Sequence, residues 1–108
     1  MVRDICLAKI FFTDFSEAKL RPVLILREHG EDVTFLPLTS NLSRDGILLT
    51  NQDPEEGILK KDSVIVTHKI GLLHRDLLVR KIARLKEEVF ENVKFAMCEG
   101  LTCTDKRG

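Results

Sequence analysis

Arg21 and Pro22 open the apolar run Val23-Leu24-Ile25-Leu26, and a second run, Phe35-Leu36-Pro37-Leu38, stops at Thr39 and Ser40. A permanent cation starts one strand and two hydroxyls close the next. Proline lacks an N–H and suits the first residue of a strand, so Pro22 is expected to hold Arg21 at an edge instead of inside a sheet. If the two strands are neighbours, a guanidinium and a hydroxyl come within reach of one phosphate. The guanidinium is planar, always charged and bidentate toward phosphate oxygens, and with a pKa above about 12 it is a poor proton shuttle. Such a pair points to chemistry on a polyanion. The alternatives are an edge arginine paired with a carboxylate, and a Thr-Ser pair that makes an ST-turn or strand cap.

The rest of the chain must place these groups. Its 108 residues suit one domain with a real core, residues 1–100, followed by a flexible tail, 101–108. A mostly buried strand is expected from Asp4 to Phe12, then a polar loop from Thr13 to Leu20 leading into the Arg21 strand. His29-Gly30-Glu31-Asp32 is a turn in which Gly30 is free to take positive φ, and Val33–Leu38 is the third strand. Ile47–Thr50 is a short strand, Asn51–Gly57 a loop, Ser63–Ile70 a β-branched strand and Val79–Leu85 the last strand. Lys86–Glu99 is a helix with Val89, Phe90, Val93 and Met97 at helical spacing, a stripe for the core or for an interface, and Gly100 as its C-cap. Short strands, one terminal helix and no βαβ alternation indicate a mainly β fold with a C-terminal α-helix, a small barrel.

Net charge is zero, which argues against bulk attachment to nucleic acid, but residues 63–98 carry seven Lys and Arg against four acids, while residues 41–62 carry three against five. The first segment offers a local basic groove, or else solvated faces on a neutral protein. Cys6, Cys98 and Cys103 are odd in number and have no CxxC spacing, so neither a disulfide framework nor a zinc site is expected, and a reducing cytoplasm suits the chain. No apolar stretch approaches a membrane span, and no signal-peptide pattern opens the sequence. No His, Asp, Glu and Cys cluster stands at metal-ligand spacing, and no cofactor or metal is expected.

In order, the Arg-Pro strand, the strand ending in Thr-Ser, Leu59-Lys60-Lys61-Asp62-Ser63-Val64-Ile65, and Leu78-Val79-Arg80-Lys81-Ile82-Ala83-Arg84-Leu85 before a helix resemble the MazF/PemK-type toxins of toxin–antitoxin pairs. The resemblance implies an SH3-like barrel of the CcdB/Kid/MazF-like toxin fold and a homodimer. It implies a sequence-specific endoribonuclease that cuts single-stranded mRNA without a metal, leaving a 2′,3′-cyclic phosphate and a 5′-OH. It also implies a cognate antitoxin, with DNA met only through that partner.

Metal-free cleavage needs a base for the 2′-OH, a stabiliser for the phosphorane and an acid for the 5′ oxygen. Arg21 matches the family's catalytic arginine and Thr39 its catalytic hydroxyl, with Ser40 an RNA contact. Ser16-Glu17 resembles the family's Ser-Glu, one residue closer to the arginine, which makes Glu17 a base or an orienter of Arg21. Thr13 and Asp14 share that loop as substrate contacts. His68 stands where many relatives have an aspartate, and imidazole titrates near neutral pH, so it is a base, an acid or a core-edge residue. Lys69 extends the RNA track. Val66 and Gly71 stand where many relatives have arginine, and with no Trp or Tyr, base stacking falls to Phe or to Arg planes. His29 and His74 are turn and loop residues. The competing functions are a gyrase poison similar to CcdB and a family member turned interaction module.

Overall fold

The computed structural model describes residues 1–11 and 18–102. Among the described residues eight strands run β1 (Asp4–Phe11), β2 (Ala18–His29), β3 (Asp32–Thr39), β4 (Ile47–Leu49), β5 (Pro54–Gly57), β6 (Ser63–Ile65), β7 (Gly71–His74) and β8 (Leu78–Leu85). A single 3-10 turn, Arg75–Leu77, links β7 to β8, and α1 spans Glu87–Thr102. The strands pair antiparallel in the order β4-β6-β3-β2-β1-β8-β5, with β7 on β3. The sheet curls into a half-barrel with one C-terminal helix, the mainly β class that the sequence predicts.

The unbroken run Val23-Leu24-Ile25 is apolar because β2 is buried on both faces. Successive side chains of a strand point to opposite sides. Leu24 therefore joins Ile5, Leu36, Ile65 and Leu85 inside the curl, while Val23 and Ile25 join Cys6, Ala8 and Val33 in a second cluster on the other face. The helix closes the inner cluster: Phe90 and Val93 are buried in it, and Val89 and Met97 pack against it. Of the two uses open to that stripe, the structure gives it the core. The second cluster is joined by Leu73 of β7, with Leu77 and Leu78 packed against it.

Several elements differ from expectation. β2 begins at Ala18, so Arg21 lies inside a twelve-residue strand rather than at its start. Asn51–Gly57 is not all loop: Pro54–Gly57 pairs with β8, where Gly57 takes φ 84° and lies so near the β8 backbone that a Cβ would fall 2.3 Å from the Ile82 carbonyl oxygen. Only glycine accepts both constraints. Ser63–Ile70 is not one strand. β6 stops at Ile65, Val66 donates its N–H to the Pro37 carbonyl, and Thr67-His68 forms a turn before β7. β-branched composition alone does not mark where a chain leaves one pairing for another. At the end of the chain, Gly100 lies within α1 rather than capping it. The turn at Gly30 is as expected, with φ 66° and the pair His29–Asp32 closing a two-residue hairpin.

Candidate active site

The sheet forks where the two chemical blocks meet. β2 pairs with β1 through Ala18–Leu24, with Arg21 opposite Ala8 and Pro22 opposite Leu7. Its pairing with β3 begins only at Val23 opposite Pro37. Beyond Pro37, β3 turns to β6 instead, placing Leu38 opposite Ile65 and Thr39 opposite Val64. The edge expected at Arg21 is met locally: β2 is a central strand, and among the described residues its Ala18–Pro22 end pairs with β1 but not with β3. A proline at each side of the fork fits this, because a residue with no N–H is best tolerated where ladder bonds are not needed.

Arg21 and Thr39 border both cavities at this fork. The first, of about 680 Å³, also takes in Ser40, Pro22 and the apolar Leu7 and Leu59, and its charged lining is Arg21, Lys60, Lys61, Arg80 and Lys81. The second, of about 420 Å³, adds Arg44 and Lys69 to Arg21. Among the described residues no carboxylate lines either one. A molecule of zero net charge thus carries a local cationic field over low-dielectric walls, the arrangement that concentrates an anionic ligand.

The electrostatics come from where the acids go. Asp4 is buried and bonds the Arg84 guanidinium at 2.9 Å, which pushes that group further up, with Lys81 3.8 Å from the same oxygen. Glu56 takes Lys81 at 3.3 Å and Glu55 takes Arg3 at 3.5 Å. Within the acidic stretch 41–62, Glu55 and Glu56 therefore turn to Arg3 and β8 and Asp53 accepts the Thr50 N–H at 2.7 Å, while Lys60 and Lys61 line the first cavity. The basic-half and acidic-half division of the sequence does not survive folding. Arg84, part of the expected basic track, is tied to Asp4 and lines neither cavity, whereas Arg44, Lys60 and Lys61 from the acidic stretch do. Sequence reasoning passed over these three as site residues. The Lys60-Lys61 pair inside the Leu59–Ile65 block was the available signal.

Thr39 makes the turn contact expected of a Thr-Ser pair and also lines both cavities. Its Oγ1 accepts the Asn41 N–H at 3.1 Å, the ST-turn, which leaves the hydroxyl proton free in geometry to donate elsewhere. Ser40 is exposed at the rim. Lys69 lines the second cavity, but His68 is exposed in its turn and lines neither, because the strand that would have aligned it with Val64 and Val66 ends at Ile65. His29 and His74 lie together at the β2–β3 hairpin, bonded to Thr34 at 2.8 Å and Glu31 at 3.1 Å. Thr13, Asp14, Ser16 and Glu17 fall outside the described residues, as does Cys103. Among the described residues no three His, Cys, Asp or Glu side chains converge. Cationic and hydroxyl side chains dominate the polar lining at the fork.

Three solved structures share this fold. The Mycobacterium tuberculosis toxin MazF-mt6 superposes with a TM-score of 0.68 at 23% identity, over 91% of this chain and 94% of that one. A chain of MazE-MazF from Deinococcus radiodurans gives 0.72 at 16% identity over 93% of each. An endoribonuclease in complex with its cognate antitoxin, from a mycobacterial species, gives 0.61 at 16% identity over 93% and 90%. No curated protein matches the chain. The family model for PemK-like, MazF-like toxins of type II toxin–antitoxin systems matches residues 6–101, nearly the whole sequence. The chain belongs to that toxin family.

Proposed function

We propose that this toxin is an endoribonuclease that cleaves single-stranded RNA at the fork between β2 and β3. The observation that supports it is the meeting of Arg21 and Thr39, from two strands that have just parted, between two cavities lined by cations and by no described carboxylate. RNA brings its own nucleophile. The 2′-OH attacks the adjacent phosphorus, the bond to the 5′ oxygen breaks, and a 2′,3′-cyclic phosphate and a 5′-OH result. Arg21 stabilises the charge that grows on the phosphorane oxygens, and the Thr39 hydroxyl donates to one of them. Glu17 takes the 2′ proton and a solvent water gives one to the departing 5′ oxygen, since His68 is exposed and lines neither cavity. Lys60, Lys61 and Arg80 carry the flanking phosphates along the first cavity.

The resemblances to MazE-MazF and to an endoribonuclease bound by its antitoxin support a cognate antitoxin as partner. The toxin family's expected homodimer is proposed as well, with the exposed Leu72 of β7 and Ile70 just before it offering an apolar surface. No helix among the described residues is long and apolar enough to cross a membrane.

The test is cleavage of a single-stranded RNA in excess EDTA, with end analysis of the products. Wild type should cut to a 2′,3′-cyclic end, and Arg21→Ala should slow the chemical step by on the order of 10²-fold or more. A near-wild-type rate in that variant would remove Arg21 from the site. Loss of supercoiling with DNA gyrase, without RNA cleavage, would give the protein to the gyrase-poison class.

A further inference from the structure

We propose that the second cavity is a nucleobase subsite in which Phe35 is the stacking platform for a nucleotide next to the scissile phosphate. The inference rests on the ribonuclease function above and assigns a base-binding residue to the same site. The cavity has an apolar floor, with Ile10, Phe35, Pro37 and Val66, and a cationic rim of Arg21, Arg44 and Lys69. Its volume of about 420 Å³ is in the range of small-ligand sites and large enough for one nucleotide. Because Arg21 and Thr39 form the wall shared with the first cavity, a base held here belongs to a nucleotide flanking the phosphate held there. An apolar floor with a cationic rim is what a flat heterocycle on a phosphodiester chain requires.

The ring is also held in place. Phe35 packs on the outer core cluster and sits opposite Gly71 across the β3–β7 ladder. A Cβ on Gly71 would lie 2.6 Å from Phe35 Cζ and 2.8 Å from Cε2, so the ring tip occupies the space a side chain would fill. Gly71 keeps the ring low against the sheet. A platform fixed in this way loses little freedom when a base stacks on it. The chain has no Trp or Tyr, and of the other phenylalanines with described side chains, Phe90 is in the inner core and Phe95 projects from α1. Phe35 supplies the aromatic face that composition alone left in short supply.

The experiment first maps the cut site of the wild-type protein on a single-stranded RNA. It then measures binding of that oligonucleotide made uncleavable by a 2′-deoxy group at the cut, with each flanking base in turn replaced by an abasic unit. At one of the two flanks the abasic unit should weaken wild-type binding by on the order of tenfold, the low part of the range for base–aromatic stacking. That penalty should vanish in Phe35→Leu and persist in Phe35→Tyr. Gly71→Ala, whose new methyl displaces the ring while its backbone φ stays ordinary, should shrink the penalty too and serves if Phe35→Leu does not fold. An equal abasic penalty in wild type and the folded variants, or none at either flank, overturns the subsite while the nuclease function stands. Failure of the wild type to cut any single-stranded RNA overturns the function itself.

Discussion

Replacing Thr39 by Val removes one hydroxyl from two roles, the turn contact it makes and the transition-state contact proposed for it. Valine keeps the β-branched shape that suits the end of β3, so the strand and its pairing to Val64 should persist. Two interactions go. The first is the 3.1 Å bond from the Asn41 N–H, which is exposed and which water replaces in part. A neutral bond of that kind is worth about 0.5–1.5 kcal/mol, and exposure puts it in the lower half of the range. The second is the bond proposed to the phosphorane. A neutral donor to a charged acceptor contributes about 1.5–3 kcal/mol, or roughly 10- to 150-fold in rate. The fork is open to solvent, so the lower figure applies, about tenfold. Urea unfolding reads the first effect, and single-turnover cleavage of a fluorescent RNA reads the second. Thr39→Ser should restore both. In a cycle with Arg21→Ala the losses should be less than additive, since both groups act on one phosphorane. A Thr39→Val protein that loses stability but cuts within twofold of wild type would leave Thr39 as a turn residue only.

Three further outcomes are expected. Burial, with Asp4 nearby, pushes the Cys6 thiol from 9.0 up to about 11, so the unfolded chain loses that proton first as pH rises. Stability should be intact below about pH 9 and fall between pH 9 and 11 by at most on the order of 2–3 kcal/mol; a Cys6→Ala variant with the same alkaline decline would remove the thiol as its cause. Because His68 is exposed and lines neither cavity, His68→Gln should cut RNA within about twofold of wild type; a loss on the order of 10²-fold would bring the imidazole back to the site as base or acid. Light scattering at micromolar concentration should give about twice the 12.3 kDa chain mass, and a monomer that cuts at full rate would defeat the dimer.

The sequence by itself determined whatever depends on residue type and short spacing. The run Val23–Ile25 announced a buried strand, Gly30 a tight hairpin, and the stripe Val89, Phe90, Val93 and Met97 a packed helix, because burial and turn geometry are set by neighbours a few residues away. Arg21 and Thr39 were legible as chemical types, a cation before a proline and a hydroxyl closing an apolar run, although Arg21 lies in mid-strand and not at the strand start expected of it. Tertiary structure decided what depends on which strand lies beside which. β3 leaves β2 at Pro37 and joins β6, and that change of partner is where Arg21, in mid-strand, comes to line both cavities. The chain turns after Ile65 because Val66 finds the Pro37 carbonyl, and so His68 leaves the face that alternation assigned to it. Charge shows the difference most plainly. Counting along the chain put the cations after Ser63 and the acids before it. Folding instead paired Glu55, Glu56 and Asp4 with Arg3, Lys81 and Arg84, and turned Lys60 and Lys61 toward the fork. Coulomb interactions depend on distance in space, and linear sequence does not measure that distance.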